Sequence, residues 1–349
     1  MVNPETGEVL ADRWLEHGNG EAKQFYASLP AGVLVGVEAS GNMLWFERLL
    51  SQSGHELWVG DAARIRREDP RKQKHDRRDA QLIARLLLEK RFPKIWVPSL
   101  AERDLRQLVV HRHKLVRMRA QIKNQLQHIA INQGLQKKQS LWTKTGRALL
   151  EGLELEPWTK RRRDDLLRWL DLFDKECEEL DQAVEQQAEA NVRAKMLMSH
   201  KGVGPVISLA MVLTVGEVER FPTSRQLVAY LGLNPSENSS GERRRLGAIT
   251  KQGNSFMRYL LVQGAQTAAR ADAAWQRQYK RLAVQKHKGV AKVMVARKLA
   301  VRLYWMLRTN TPYPQVVRMR DSSSHPVKAR LQSSTSRCLN ERPASPRKQ

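Results

Sequence analysis

A chain of 349 residues that is 41% hydrophobic is long enough for two or three domains and apolar enough to give them cores. Its 61 Lys and Arg outnumber 36 Asp and Glu, a formal charge of +25, which points to a polyanionic partner and to nucleic acid ahead of an anionic membrane. No apolar run approaches the ~18 residues of a membrane-spanning helix or forms a signal-peptide core. Cys177 and Cys338 stand too far apart for a disulfide framework or a zinc site, and read as reduced cytosolic thiols.

The chain opens with "NPETGEVLADRWLEH", the tail of a hairpin turning at Glu5–Gly7. "GVLVGVEAS" (32–40) has the pattern of a short buried strand that ends on a carboxylate, Glu38. "NMLWFERLLSQSG" (42–54) is amphipathic and stops at a glycine, as a helix should. "HELWVG" (55–60) reads as a second strand, residues 76–90 as a helix, and "PKIWVP" (93–98) as a third short strand closed by prolines. Strands alternating with helices predict a parallel or mixed sheet covered by helices, an α/β domain over residues 1–99.

Residues 100–196 carry no strand signal. Leu166, Leu170, Phe173, Cys177, Leu180 and Val184 form a heptad seam with charged flanks, and Leu105, Leu108, Leu115, Ile122, Leu126 and Ile129 a less regular one upstream. Two long helices are expected, an antiparallel or intermolecular coiled coil, with the leucine stripe serving as packing surface. Residues 197–310 predict an all-α domain of several amphipathic helices around a polar, glycine-punctuated loop or short hairpin at 234–254. Residues 311–349 are basic, rich in Ser and Pro and without apolar period, and read as a disordered tail.

Three stretches could carry chemistry. Glu38 sits at the C-terminal end of a predicted strand, where open α/β sheets place their sites. Asp76 and Asp79, three apart in "KHDRRDAQLIARLL", share a helix face, with Lys72, Lys74, Arg77 and Arg78 beside them. Such carboxylates could hold Mg²⁺ next to a phosphate backbone; equally, Asp76 could cap the helix with Asp79 in its first turn. In "HKGVGPVISLAMV", Lys201, Gly202 and Gly204 make a helix-hairpin-helix-like turn whose free N–H groups could bind phosphate, or a plain tight turn between helices. In "SENSSGERRRLGAITKQGN", Ser239 or Ser240 could attack a phosphodiester while Arg243, Arg244, Arg245 and Lys251 stabilise its charge; the plainer reading is a solvated loop.

These stretches occur together, and in this order, in one family. The chain resembles the DEDD transposases of bacterial insertion sequences, the IS110 family and within it the IS1111 subgroup. The likeness is carried by "VEASGNMLWFERLLSQSGHELWV", "KHDRRDAQLIARLL", "KGVGPVISLAMVLTVGEVERFPTSRQLVAYLGLNPSENSSGERRRLGAITKQGNSFMRYLLVQGA" and "TPYPQVVRM", which span nearly the whole chain, the middle being least distinctive. The resemblance implies a RuvC-type, RNase H-like domain at 1–99 whose four acids bind Mg²⁺, the second to fourth being Glu38, Asp76 and Asp79. It implies coiled-coil oligomerisation helices at 100–196, giving a dimer or tetramer. It also implies a C-terminal domain at 197–310 with a serine needed for strand cleavage and joining, Ser240 with Ser239 as the alternative. DNA recombination guided by an element-encoded RNA, in the bacterial cytoplasm at the nucleoid, follows from the same likeness. Two departures stand out. The family's first acid lies on a strand well before the hairpin, whereas here the hairpin starts at residue 2 and Asp12, beyond it, is no match; His75 replaces a threonine. The alternative expectation is therefore a truncated transposase that binds nucleic acid without catalysis.

Overall fold

A computed structural model describes residues 1–41, 43–68, 75–135, 140–239, 245–313 and 315. Lys72, Lys74, Cys338 and the expected tail beyond 315 lie outside the described residues. The chain divides into two compact units, Met1–Ser99 and Leu100–Gln349. It is mostly helical, with a few short strands, as the sequence predicts.

In the first unit, a bridge between Val2 and Val9 closes the expected hairpin, with Gly7 at a φ of 73° in its turn. Helix α1 (Glu21–Ser28), which the sequence reading did not foresee, follows. Strand β1 (Leu34–Glu38), helix α2 (Leu44–Gln52) and strand β2 (Glu56–Gly60) form a parallel β–α–β unit with Glu38 opposite Gly60. Helix α3 (Ala62–Glu68) and helix α4 (Asp76–Leu88) come next. The third strand expected at 93–98 does not form. Lys94 makes only an isolated antiparallel bridge to Gly60, backed by Ile95 N–H donating to Val59 O at 2.8 Å.

Ile65, Leu82, Leu86 and Phe92 make the small core of this unit. Burying Leu82 and Leu86 contributes roughly 1.5–3 kcal/mol each. The α4–β1 contact is made at Gly36, where a Cβ would stand 2.8 Å from both Ile83 Cγ2 and Leu87 Cδ1.

The second unit opens with helix α5 (Leu100–Asn132), then helix α6 (Lys144–Glu151) and helix α7 (Pro157–Ala190). Helices α5 and α7 pack antiparallel: Arg112 reaches Asp181 at 2.6 Å, Arg119 reaches Asp174 at 3.1 Å, and Arg162 reaches Gln125 at 2.9 Å. The heptad residues Leu166, Leu170, Cys177 and Val184 are buried, so the stripe is packing surface.

Around it lie helices α8 (Val192–Leu197), α9 (Pro205–Val215), α10 (Ser224–Tyr230), α11 (Ser255–Ala271), α12 (Ala273–Gln285) and α13 (Lys288–Thr309). Strands β3 (Pro235–Glu237) and β4 (Leu246–Ile249) pair as a short antiparallel hairpin where a loop or hairpin is expected. No described helix is long and apolar enough to cross a membrane.

Helix α9 is the axis of this unit, buried from Ser208 to Val215. A helix end inside a core leaves carbonyls that need donors. Three arginines supply them: Arg106 donates to Leu213 O, Arg220 to Val215 O at 2.7 Å and Thr214 O at 3.2 Å, and Arg193 to Gly216 O at 2.9 Å. Part of the positive surplus is thus structural. Arg220→Met should cost about 2 kcal/mol in urea unfolding, the scale of charged hydrogen bonds lost at buried carbonyls. Arg161→Met, which breaks an exposed pair with Asp165, should change stability by less than about 0.5 kcal/mol.

Candidate active site

Glu38 is the last residue of β1, half-buried at the carboxyl end of the parallel pair. Asp76 is the first residue of α4, and Asp79 follows in the same turn. Because α4 lies on β1 through Ile83 and Leu87, and residues 76, 80, 83 and 87 share one helix face, Asp76 is carried to the Glu38 end of the strand.

Glu38, Asp76 and Asp12 line one cleft of about 960 Å³, together with His75, Arg77 and Trp45. Asp79 is half-buried and does not line it. Capping does not explain Asp76: the N-cap is His75, in extended backbone, and no side chain caps the helix. Arg77 Nε donates to Asp12 Oδ2 at 2.8 Å, tying the segment after the hairpin to the start of α4. Sequence reasoning set Asp12 aside on motif grounds, and only the fold places it in the cleft.

Among the described residues, no three His, Cys, Asp or Glu side chains stand close enough to form a metal group. Of the three carboxylates lining the cleft, Asp12 is paired with Arg77, and Glu38 and Asp76 are hard oxygen donors of the kind that Mg²⁺ selects.

In the second unit, Lys201, Gly202 and Gly204 lie in the turn between α8 and α9. Gly202, at a φ of 99°, is required for packing: a Cβ there would stand 2.6 Å from both Ala268 N and Gly264 O of α11. Gly204 is the exposed N-cap of α9, with Pro205 first in the helix, and Lys201 is exposed beside it.

The preceding residue, His200, is buried against Trp275 and Tyr313, at ring distances of 5.1 and 4.1 Å, and its Nδ1 lies 2.8 Å from Lys201 O. Tyr313, in the "TPYPQVVRM" stretch, also receives the Trp275 indole N–H at 2.9 Å and donates its own backbone N–H to Ser199 Oγ at 3.0 Å. This stretch therefore anchors the chain after α13 to the turn.

The β3–β4 hairpin carries Ser239. Its base is pinned by close backbone contacts: a Cβ at Gly232 would meet Gln252 O at 1.9 Å, and one at Gly253 would meet Tyr230 O at 2.1 Å. Arg258 joins the two sides, donating to Leu231 O at 3.2 Å and Gln252 O at 2.7 Å, and Asn254 caps α11 by accepting from Met257 N–H. Lys251 sits exposed at a φ of 57°. Nearer the tip, Ser239 Oγ donates to Glu237 Oε1 at 2.9 Å and accepts from Arg245 N–H at 3.1 Å. Ser240, Arg243 and Arg244 lie outside the described residues.

Both ends of this arrangement match known transposase models. Residues 2–130 match a DEDD transposase model of the IS110 type, and residues 194–280 match the model described as "Transposase IS116/IS110/IS902 family". The chain belongs to the IS110 family of insertion-sequence transposases. It is 28% identical over 307 residues to a "Probable family 20 transposase" of Pseudomonas aeruginosa, covering 84% of this chain and 89% of the relative. It is 29% identical over 201 residues to the transposase for insertion sequence element IS1111A of Coxiella burnetii, covering 56% and 55% of the two chains. With the transposase for IS1328 of Yersinia enterocolitica the identity is 24% over 294 residues, covering 82% and 86%. A transposase cuts and recombines DNA, so DNA is a substrate of the family, and DEDD members generally use a divalent metal.

Two predictions follow from the turn. Burial holds the His200 imidazole down to about 4, against the backbone hydrogen bond to Lys201 that favours its cation. The folded state therefore binds this proton less readily than the unfolded chain, whose histidine titrates near 6.5. The associated stability is fully present above pH 6.5 and is lost as pH falls toward 4, by roughly 3 kcal/mol. Urea unfolding of wild type and His200→Gln across pH 4–7 should show this slope only in the wild type. Gly202→Ala, by contrast, should destabilise the unit by more than about 2 kcal/mol at any pH, because it meets backbone rather than a movable side chain.

Proposed function

We propose that this chain is the recombinase of its insertion sequence, cleaving and rejoining DNA strands with an N-terminal carboxylate cleft and a C-terminal serine. The observation that carries the reading is that Glu38, at a strand end, and Asp76, at a helix start, face one cleft. In this reading residues 1–99 are a RuvC-like, RNase H-like domain, and α5 and α7 belong to an oligomerising coiled coil that brings two DNAs together. The α8–α9 turn is a helix-hairpin-helix element in which Lys201, Gly202 and Gly204 grip phosphate.

Glu38 and Asp76, which face the cleft, would hold Mg²⁺, with Asp79 as the third acid only by the family likeness since it does not line the cleft; the ion when bound would neutralise charge on the scissile phosphate and lower the pKa of a bound hydroxyl. Arg77 and the exposed bases around the cleft hold the adjoining backbone. Ser240 Oγ attacks phosphorus, a serine–phosphate bond forms, and the bridging P–O bond to the sugar breaks; attack by a hydroxyl of the second strand reverses this and joins it. Arg243, Arg244, Arg245 and Lys251 neutralise the charge that develops on the non-bridging oxygens. Ser239 is committed at both lone pair and proton to Glu237 and Arg245, which favours Ser240 as the nucleophile and gives Ser239 the task of shaping the tip.

The element-encoded guide RNA rests on the resemblance. The site of action is the cytoplasm, at the nucleoid.

Ser240→Ala should abolish strand joining, by at least 1,000-fold, and leave DNA binding intact, measured by strand exchange beside a mobility shift. Ser239→Ala should retain at least a tenth of the activity. Recombination unchanged in Ser240→Ala contradicts the serine role, and a wild-type chain that binds DNA but exchanges no strands supports the binding-only alternative. Glu38→Gln or Asp76→Asn should reduce exchange at least 100-fold without moving the thermal midpoint by more than about 3 °C.

A further inference from the structure

From Ala273 to Tyr313 the sequence holds ten Lys and Arg and no Asp or Glu. Asp272, the nearest acid before this stretch, is committed to capping α12, accepting from Ala274 and Trp275 N–H. Helices α12 and α13 thus form an acid-free pair packed on α11. Between the three helices lies a cleft of about 290 Å³, ringed by Arg270, Lys280 and Lys292, with Gln266, Gln276 and Tyr279 on its walls.

Among the described residues, Arg270, Lys280 and Lys292 form no ion pair. Nearby, burial and the Arg281 guanidinium hold the Lys298 ammonium below the ordinary lysine range, a sign that cations crowd one another here. Like charges gathered without a counter-charge cost folding energy, and a polyanion seated on them recovers it. The chain's own tail cannot serve, since residues 316–349 hold eight Lys and Arg against two acids.

We propose that the α11–α12–α13 cleft is a DNA-backbone site, in which Arg270, Lys280 and Lys292 each hold a phosphate and Gln266 and Gln276 donate to phosphate or sugar oxygens. It is separate from the α8–α9 turn and the β3–β4 hairpin, and all of α13 lies beyond residue 280, where the matched C-terminal family region ends. Cations of this kind position the duplex and read no sequence. The proposal rests on the reading that this chain acts on DNA.

The test is the salt dependence of duplex binding by the full chain, titrated in KCl with a labelled 30-bp DNA of arbitrary sequence. Each lost phosphate contact lowers the slope of log K against log salt by about 0.9. Arg270→Gln/Lys280→Gln/Lys292→Gln should lower it by about 2.7, weaken binding by at least 30-fold at 150 mM, and leave the thermal midpoint unchanged or raised. Lys280→Arg/Lys292→Arg should keep the wild-type slope. A control on α7, Arg161→Gln/Arg168→Gln/Lys175→Gln, removes cations already paired with Asp165 and Glu179 and should also keep it.

A slope unchanged in the cleft triple, or lowered as much by the α7 triple, overturns the proposal. A loss seen with a 30-nucleotide RNA and not with the duplex overturns it as a DNA site. In each of those cases wild-type duplex binding survives, and with it the wider reading; a wild-type chain without DNA affinity overturns both.

Discussion

The candidate active site depends on the absence of one side chain. Gly36 in the middle of β1 lets Ile83 and Leu87 press α4 onto the strand, and any Cβ there would force them apart. That approach sets where the helix begins relative to where the strand ends, and so brings Asp76 to the cleft that Glu38 faces. The core beneath is small, four buried side chains with three partly buried neighbours, so the alignment has little else to hold it. The Arg77–Asp12 pair adds a second tie at the mouth, with Arg77 mostly exposed and therefore weak.

The second unit solves the same positioning problem with backbone. Its central helix ends inside the core with its carbonyls held by Arg106, Arg193 and Arg220, and the hairpin that carries the serines is pinned at its base by Gly232, Gly253 and Arg258. The "LGLN" and "TKQGN" ends of the hairpin motif are therefore its structural frame. Two sorts of cation follow from this: arginines held as helix-end donors, and Arg270, Lys280 and Lys292 around the α11–α12–α13 cleft, which form no ion pair among the described residues.

Local pattern made much of this legible. The strand ending on Glu38, the helix starting at Asp76, the heptad seam and the long helices follow from apolar period and from glycine stops, each a matter of neighbours in sequence. What could not be read was set at a distance. Arg106 caps a carbonyl 107 residues away, and the cleft between α11, α12 and α13 exists only once three helices meet. "PKIWVP" has strand composition, yet its pairing with β2 stops at one isolated bridge, Lys94 to Gly60. Asp12 fits no motif, yet a bond to Arg77 holds it at the cleft.

The central claim is that the Glu38–Asp76 cleft, held in register by Gly36, is a divalent-cation site. Mn²⁺ binding followed by electron paramagnetic resonance tests it without requiring catalysis. The full chain should bind Mn²⁺, and Glu38→Gln and Gly36→Val should each weaken that binding at least tenfold, the first by removing a ligand and the second by displacing α4. Binding that is absent from the wild-type chain, or equal in all three proteins, would contradict it.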